Sequence, residues 1–277
     1  MFSFSKALVI FLFITLSSCS ETNISKKKHR KTHEKGEFIY RESDEFLYEL
    51  PPLQLRPKPE YPWEENTVGN FPRITKEFFR CRGSSMNSMQ MLPQENGEIV
   101  KYLDCEGKHS LPIEEEKEFV YPILISLLNH IQKKTNRRVV ITCGHRCPKH
   151  NAYADSSINN RTSKHMIGAE VDFYVQNMED KPEKILDLLL NFYRNSPEYF
   201  GKKEYQEFST YEGPTNVSTP PLRNKEVYIK LCRKDEGRDF DNRHSYPYIC
   251  IQVRYDNEKK ENVFYTWNKA YNHYFRW

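Results

Sequence analysis

One short segment contains a histidine and an aspartate at a spacing suited to metal chemistry. It reads Ser163-Lys-His165-Met-Ile-Gly168-Ala-Glu-Val-Asp172, with a glycine between the two side chains. Imidazole and carboxylate are both ligands that Zn²⁺ accepts, but two ligands do not complete a site. A later segment, Asp241-Asn-Arg-His244, offers a third ligand. The sequence therefore predicts a zinc site built from His165, Asp172 and His244.

The residues around this segment predict the elements that would position it. Glu170-Val-Asp-Phe-Tyr-Val175 alternates and is rich in β-branched and aromatic residues, so Asp172 is expected on a strand. His165 is expected on the loop that enters the strand. Gly168 would allow the backbone to turn sharply between the two candidate ligands.

Two amphipathic helices are predicted from apolar residues at three- and four-residue steps. The first runs from Glu114 to Lys134, with acidic residues in its first turn, where they favour the positive end of the helix dipole. Pro122 lies inside this range and either kinks the helix or marks its true start. The second helix runs from Pro182 to Tyr193, with Asp180 as its expected cap.

Alternating or apolar runs predict the strands. They are residues 78–81, 99–103, 138–142, 227–232, 248–255 and 263–267, in addition to the strand that carries Asp172. Helices and strands are segregated along the chain, without β-α-β alternation. This order predicts an α+β fold with a central antiparallel sheet flanked by helices.

Residues 1–19 look like an export signal. One lysine precedes an apolar run that is too short to span a bilayer. The run ends in Leu16-Ser17-Ser18-Cys19, which resembles a bacterial lipobox and implies cleavage before Cys19 and acylation of that cysteine. An ordinary signal peptide that happens to contain a cysteine is the alternative. The lipobox implies a membrane-anchored protein of the cell envelope, and Ser20 favours the outer membrane under the common sorting rule.

Residues 20–72 are predicted to form a tether, basic at first and then rich in proline, that precedes a folded domain at 73–277. Net charge is only +4, and much of it comes from the basic run at residues 26–31. Beside a lipid anchor, this run favours contact with anionic lipid head groups over a nucleic-acid site. No nucleic-acid partner is expected, and the oligomeric state is left open.

Six cysteines follow Cys19, an even number that in an exported chain predicts disulfides. Cys81 and Cys105 flank an expected hairpin, Cys143 and Cys147 are close in sequence, and Cys232 and Cys250 lie in two strand-like runs. These neighbours are the expected pairs. None of the six shows the paired Cys-x-x-Cys spacing of a zinc ribbon.

The order of these motifs resembles peptidase family M15, the zinc D-Ala-D-Ala carboxypeptidases that share a fold with the hedgehog signalling domain. The resemblance covers about residues 114–256. It rests on Cys143-Gly-His-Arg-Cys147, where the family has Ser-Gly-Tyr-Arg-Ser, on the segment from Ser163 to Asp172, and on Asp241-x-x-His244. Glu170 replaces a family alanine, and its side chain is expected to point away from the metal.

The resemblance implies a role for each matching residue. His165, Asp172 and His244 would hold Zn²⁺, and Asp241 would act as general base. Arg146 would stabilise the oxyanion or hold the substrate carboxylate. Ser163 would bind substrate, and His145 would line the pocket.

The third ligand remains open, because some relatives place their last histidine in the strand where this chain has Cys250.

The implied function is hydrolysis of peptidoglycan stem peptides by a D,D- or L,D-carboxypeptidase. The alternative is a lipoprotein of the same fold without turnover, acting as a peptidoglycan-binding or host-interaction module. Cysteines in place of the family's serines around Arg146 favour this alternative.

Overall fold

A computed structural model describes residues 30–34, 37–41, 66–93, 97–154, 162–234, 236 and 246–276. The chain divides into two compact units, residues 1–59 and 60–277. The described part of the first unit is a hairpin of β1 (Arg30–Glu34) and β2 (Glu37–Arg41), in which Arg30 pairs with Arg41. The hairpin falls within the segment for which an extended tether is expected. The signal segment and Cys19 lie outside the described residues.

The second unit contains the remaining elements, which follow one another along the chain. They are β3 (Thr67–Val68), β4 (Phe71–Pro72), a 3₁₀ helix (Lys76–Phe79), β5 (Gln90–Pro93), β6 (Ile99–Tyr102), β7 (Ile113–Glu114), β8 (Lys117–Glu118), α1 (Pro122–Thr135), β9 (Val139–Cys143), α2 (Pro148–Ala154), a 3₁₀ helix (Lys164–Ile167), β10 (Glu170–Val175), α3 (Pro182–Asn195), a 3₁₀ helix (Pro197–Tyr199), α4 (Lys203–Gln206), β11 (Ser209–Thr210), β12 (Leu222–Arg223), β13 (Val227–Cys232), β14 (Tyr248–Val253), β15 (Tyr255–Asp256), β16 (Glu261–Asn262) and α5 (Trp267–Asn272).

A six-stranded antiparallel sheet organises this unit, in the order β11-β12-β13-β14-β10-β9. The central strands β10 and β14 are buried along almost their whole length. The structure confirms a fold of helices and strands around a central antiparallel sheet. The strand predictions at 170–175 and 227–232 agree with β10 and β13 residue for residue.

Helices α1 and α3 supply most of the helical side of the core. Leu124, Leu127, Leu128 and Ile131 of α1 are fully buried against residues of the sheet that include Phe173. Each buried side chain of this size contributes about 1.5–3 kcal/mol, so this face holds α1 to the sheet.

The first helix does not begin at Glu114. Ile113–Glu114 and Lys117–Glu118 form a hairpin, in which Glu115 and Glu116 adopt φ values of 49° and 62°. Such left-handed residues build a tight hairpin turn and cannot continue a right-handed helix. The helix begins at Pro122, in the first turn where proline costs no hydrogen bond, so the alternative that Pro122 marks its start is confirmed.

Three further expectations were wrong. Residues 78–81 are not a strand, because Lys76–Phe79 form a 3₁₀ helix. Residues 263–267 are not a strand either, and Trp267 begins α5, with the Thr266 hydroxyl accepting from the Lys269 N–H. Asp180 does not cap α3, since Lys181 is the residue at the N-cap and Pro182 follows it.

The strand register also separates two cysteines expected to face each other. Cys232 pairs with Tyr248, whereas Cys250 pairs with Lys230.

Among the described residues, no helix has the length and apolar character needed to cross a membrane.

Candidate metal centre and its cleft

A tight turn that carries His165 leads directly into β10. Ser163 caps the 3₁₀ helix Lys164–Ile167, its hydroxyl oxygen accepting the His165 N–H at 3.3 Å. Gly168 ends the helix at φ +70°, and a Cβ there would lie 3.0 Å from the Phe119 carbonyl oxygen. The turn therefore requires a residue that tolerates positive φ and has no side chain.

His165 and Asp172 meet in the interior of the protein. His165 Nε2 lies 3.4 Å from Asp172 Oδ2, and both side chains are 0% exposed. On the opposite side of the ring, Nδ1 lies 2.6 Å from the Gly144 carbonyl oxygen. Because a carbonyl can only accept, Nδ1 carries the hydrogen and Nε2 presents its lone pair towards Asp172. A second hydrogen bond of this kind is how metal-binding histidines are usually oriented.

Glu170 also points into this site, contrary to the expectation from the sequence. Its Oε1 lies 3.5 Å from His165 Nε2 and 2.8 Å from Gln252 Nε2, and the side chain is 3% exposed. Glu170 and Asp172 are two residues apart on one strand, so they share a face of the sheet. The period of the strand could have predicted this from the sequence.

Cys250 adds a donor beside the two carboxylates, whereas His165 and Asp172 form a second group of possible ligands with Cys143. Cys250 pairs with Asp172 across β10 and β14, and its Sγ lies 3.1 Å from Glu170 Oε1. The ligand atoms of Glu170, Asp172 and Cys250 lie within 4.8 Å of one another. Burial, together with the carboxylates of Glu170 and Asp172, raises the pKa of the Cys250 thiol.

These distances fit a zinc ion held by His165 and the carboxylates. Zinc bound by nitrogen and oxygen at about 2.0–2.1 Å in a tetrahedron separates its ligands by about 3.3–3.4 Å. The 3.4 Å from His165 Nε2 to Asp172 Oδ2 and the 3.5 Å to Glu170 Oε1 agree with that spacing. The predicted third ligand His244 and the predicted base Asp241 lie outside the described residues, so the structure does not place them.

Arg146 lies on the Nδ1 side of His165, away from the group of carboxylates. Its Nε donates to Cys143 Sγ at 2.8 Å, and its backbone N–H donates to the His165 carbonyl at 3.3 Å. The side chain is only 1% exposed. This placement suits a group that positions the His165 turn, and the expected contact of Arg146 with substrate stays a prediction.

His145 is packed in the interior rather than in the cleft that adjoins the carboxylates. It is 2% exposed, and its ring meets His109 edge-on with centroids 5.5 Å apart. Burial lowers the pKa of His145 well below its ordinary value, so the ring is neutral at pH 7. The expected role of His145 in lining the substrate pocket does not agree with this placement.

Ser163, the other expected substrate contact, caps the turn that carries His165. Its Oγ lies 3.5 Å from Glu170 Oε2.

An open, basic cleft of about 830 Å³ adjoins the carboxylates. Gln252 lines it and donates to Glu170, which connects the cleft to the candidate metal centre. Four cationic side chains line the same cleft, together with the rings of Tyr211 and Tyr228; they are Lys164, Arg223, Lys230 and Arg254. The neighbouring Cys250 and, to a smaller extent, Glu170 raise the pKa of Lys230. Burial opposes them, but the net shift is upward. The cleft therefore favours an anionic ligand.

Sequence reasoning missed this cleft, although part of its signal was present. Tyr228 and Lys230 alternate with the buried Val227, Ile229 and Leu231 on β13, so they had to share the opposite face. Tyr211 and Arg223 come from a polar segment without a regular pattern. Their place beside the sheet depends on pairing between β11, β12 and β13, which the sequence does not specify.

No family model, curated protein or solved structure matches this chain.

Proposed function

We propose that this protein is an exported zinc hydrolase that cleaves peptidoglycan stem peptides, as the resemblance to peptidase family M15 implies. The observation that carries the proposal is the approach of His165 Nε2 to Asp172 Oδ2 at 3.4 Å, with both side chains buried. The hydrogen bond from His165 Nδ1 to the Gly144 carbonyl fixes the ring in the orientation that a ligand needs. A D,D- or an L,D-carboxypeptidase would both use this arrangement.

His165 and Asp172 would hold the ion, and the third ligand would be Cys250 or His244. Zinc in such a site would supply a water of pKa near ~7 and polarise the scissile carbonyl. The proton acceptor would be a carboxylate that is ionised at neutral pH. Asp241 is the acceptor that the sequence motif indicates. Glu170 is a second candidate, because its Oε1 lies 3.5 Å from His165 Nε2.

The cleft supports a substrate that ends in a carboxylate. Arginine binds carboxylates through two parallel hydrogen bonds, and Arg223 and Arg254 both line the cleft beside Lys230. A carboxypeptidase must recognise the free terminal carboxylate of its substrate. We assign this role to the cations of the cleft, because the Nε of Arg146 already donates to Cys143 Sγ beside the His165 turn.

A second function is favoured by one specific feature, the number of donors at the centre. Glu170, Asp172 and Cys250 have ligand atoms within 4.8 Å of one another, and Glu170 Oε1 lies 3.5 Å from His165 Nε2. If all four residues bind the ion, they close a tetrahedral site and leave no position for water. The protein would then be a module that binds anionic cell-wall peptides without cleaving them.

The test is release of D-alanine by the purified full chain from purified pentapeptide muropeptides, for the D,D activity, and from tetrapeptide muropeptides, for the L,D activity. Asp172→Asn should abolish release. Arg223→Gln should raise the KM for the peptide with a free terminal carboxylate but not the KM for the same peptide with an amidated terminus. Lys202→Gln, an exposed lysine outside the cleft, is the matched control. Binding of the peptide without any release would establish the second function instead.

Comparison of Asp241→Asn with Glu170→Gln identifies the proton acceptor. The variant that loses turnover while it keeps its zinc carries the acceptor. Loss of zinc in His244→Ala but not in Cys250→Ser would establish His244 as the third ligand, and the reverse would establish Cys250. Release that persists in both Asp172→Asn and His165→Ala would refute the proposed centre.

A further inference from the structure

A second group of metal-binding side chains lies outside the candidate metal centre. Its members are Cys81, Cys105, His109 and Cys147, and their ligand atoms all lie within 4.8 Å of one another. Cys105, His109 and Cys147 are 4%, 8% and 3% exposed. We propose that these four residues hold a structural zinc ion in a tetrahedral Cys₃His site. This proposal does not depend on the function proposed for His165 and Asp172.

The distances are those of a zinc tetrahedron rather than of a disulfide. Cys81 Sγ and Cys105 Sγ lie 3.7 Å apart, and Cys105 Sγ lies 3.7 Å from His109 Nε2. With zinc bonds of about 2.3 Å to sulfur and about 2.0 Å to nitrogen, the tetrahedral separations are about 3.8 Å and about 3.5 Å. A disulfide would require about 2.05 Å between the sulfur atoms. Three cysteines also cannot all pair among themselves.

His109 is oriented as a ligand. Its Nδ1 lies 2.9 Å from the Ser110 carbonyl oxygen, which can only accept, so Nδ1 carries the hydrogen. The lone pair of Nε2 is therefore directed towards the sulfur of Cys105. A backbone carbonyl on the far nitrogen is a common way to fix the tautomer of a zinc-binding histidine.

The chain around Cys105 is shaped to keep its sulfur in place. A Cβ at Gly83 would lie 2.0 Å from Cys105 Sγ, so only glycine allows this approach of the two segments. Asp104, which is 4% exposed, accepts from the Cys105 N–H at 2.7 Å and from the Ser84 N–H at 2.9 Å. Its Oδ1 also lies 2.6 Å from His150 Nδ1 on α2. Asp104 thus ties the backbone at Cys105 to the segment at Ser84 and to α2.

The charge around the site suits this ion. Three thiolates, a neutral imidazole and Zn²⁺ together carry one negative charge. The adjoining cavity of about 240 Å³ is lined by Lys108, Lys149 and Arg276, against the single acid Glu106. The excess of positive charge compensates the proposed centre.

The site would join the early part of the domain to the turn that supports His165. Cys81, Cys105 and His109 come before α1, whereas Cys147 directly precedes α2. Cys147 is three residues after Gly144, whose carbonyl accepts from His165. We expect zinc binding to hold Cys81, Cys105 and His109 close to that turn and to stabilise it.

Zinc content and the identity of the ligand atoms test the proposal on the purified full chain. With both centres present, we expect about two zinc ions per chain, and about one in either His165→Ala or Cys105→Ser. If the centre at His165 does not bind zinc, the parent protein holds one ion, which Cys105→Ser removes. Failure of the two proposals is thus distinguishable. Cys232→Ser, which changes a buried cysteine outside the four, is the matched control and should keep its zinc.

X-ray absorption at the zinc edge covers the case in which Cys105→Ser does not fold. In His165→Ala, the zinc shell should contain three sulfur atoms and one nitrogen. In the same His165→Ala background, His109→Cys should retain the ion with four sulfur atoms. A shell dominated by nitrogen and oxygen would overturn the proposal. So would an unchanged zinc content in folded Cys105→Ser, or a disulfide between two of the three cysteines in the isolated protein.

Discussion

Glu226 should make this protein less stable as the pH rises. The carboxyl group is 2% exposed, and both Tyr193 and Tyr199 donate to its Oε2, at 2.9 and 2.8 Å. Burial raises the pKa of Glu226 from 4.5 to about 7, against the opposing effect of the two tyrosine hydroxyls. Between these two pKa values the folded state binds more protons than the unfolded state. The contribution of Glu226 to stability is therefore fully present below about pH 4.5 and is lost as the pH rises through 7.

The magnitude follows from the difference of about 2.5 between the two pKa values. At 1.36 kcal/mol for each pKa unit, ionised Glu226 costs the folded state about 3 kcal/mol, of which about 2.5 kcal/mol falls between pH 5 and pH 8.5. Glu226→Gln keeps an acceptor for the tyrosines but cannot ionise. Urea denaturation at both pH values should show that the variant loses about 2.5 kcal/mol less stability than the parent protein. Glu204→Gln, an exposed carboxylate, is the control and should behave as the parent. Equal pH dependence in the parent and in Glu226→Gln would refute the reasoning.

Three further predictions concern the core, the turn and the metal. Leu127→Ala should lower the free energy of unfolding by about 2–5 kcal/mol, because Leu127 is fully buried, whereas Leu103→Ala at an exposed site should change it little. Equal effects of the two substitutions in urea denaturation would contradict the packing described. Gly168→Ala should lower the free energy of unfolding more than Gly201→Ala does, since both residues have positive φ but only at Gly168 would the new Cβ meet a carbonyl oxygen, at 3.0 Å. The same urea midpoint for both variants would show that this contact is unimportant. In Cys105→Ser, which lacks the proposed Cys₃His site, chelation of zinc should leave the buried Glu170 and Asp172 without a counter-ion and cost about 3 kcal/mol, or roughly 6–12 °C in Tm; a Tm of this variant that chelator and added zinc both leave unchanged would count against a metal at this centre.

The sequence predicts well those elements whose side chains decide the structure locally. The alternation of Glu170–Val175 and Val227–Cys232 specifies strands, because every second residue must enter the core. The turn at Gly168 is likewise specified by a residue that tolerates its φ of +70°. The pairing of His165 with Asp172 follows from these two local features together.

The features that the sequence did not predict depend on contacts between distant segments or on competing local preferences. Glu115 and Glu116 adopt left-handed conformations, so acidic residues that favour a helix start instead form a hairpin turn. The proposed Cys₃His group joins positions 81, 105, 109 and 147, and no single spacing among them matches a known zinc pattern. The orientation of Glu170 was predictable from the strand period. The family that the chain resembles has alanine at that position and therefore gives no information about a side chain there.

Anomalous X-ray scattering at the zinc absorption edge, on crystals of the full chain grown with zinc, tests the proposed hydrolytic centre most directly. We predict a peak within bonding distance of both His165 Nε2 and Asp172 Oδ2, because these atoms lie 3.4 Å apart in the interior. A further atom bound to that peak would identify the third ligand as Cys250 or His244. Crystals that show both side chains in place but no peak between them would contradict the account.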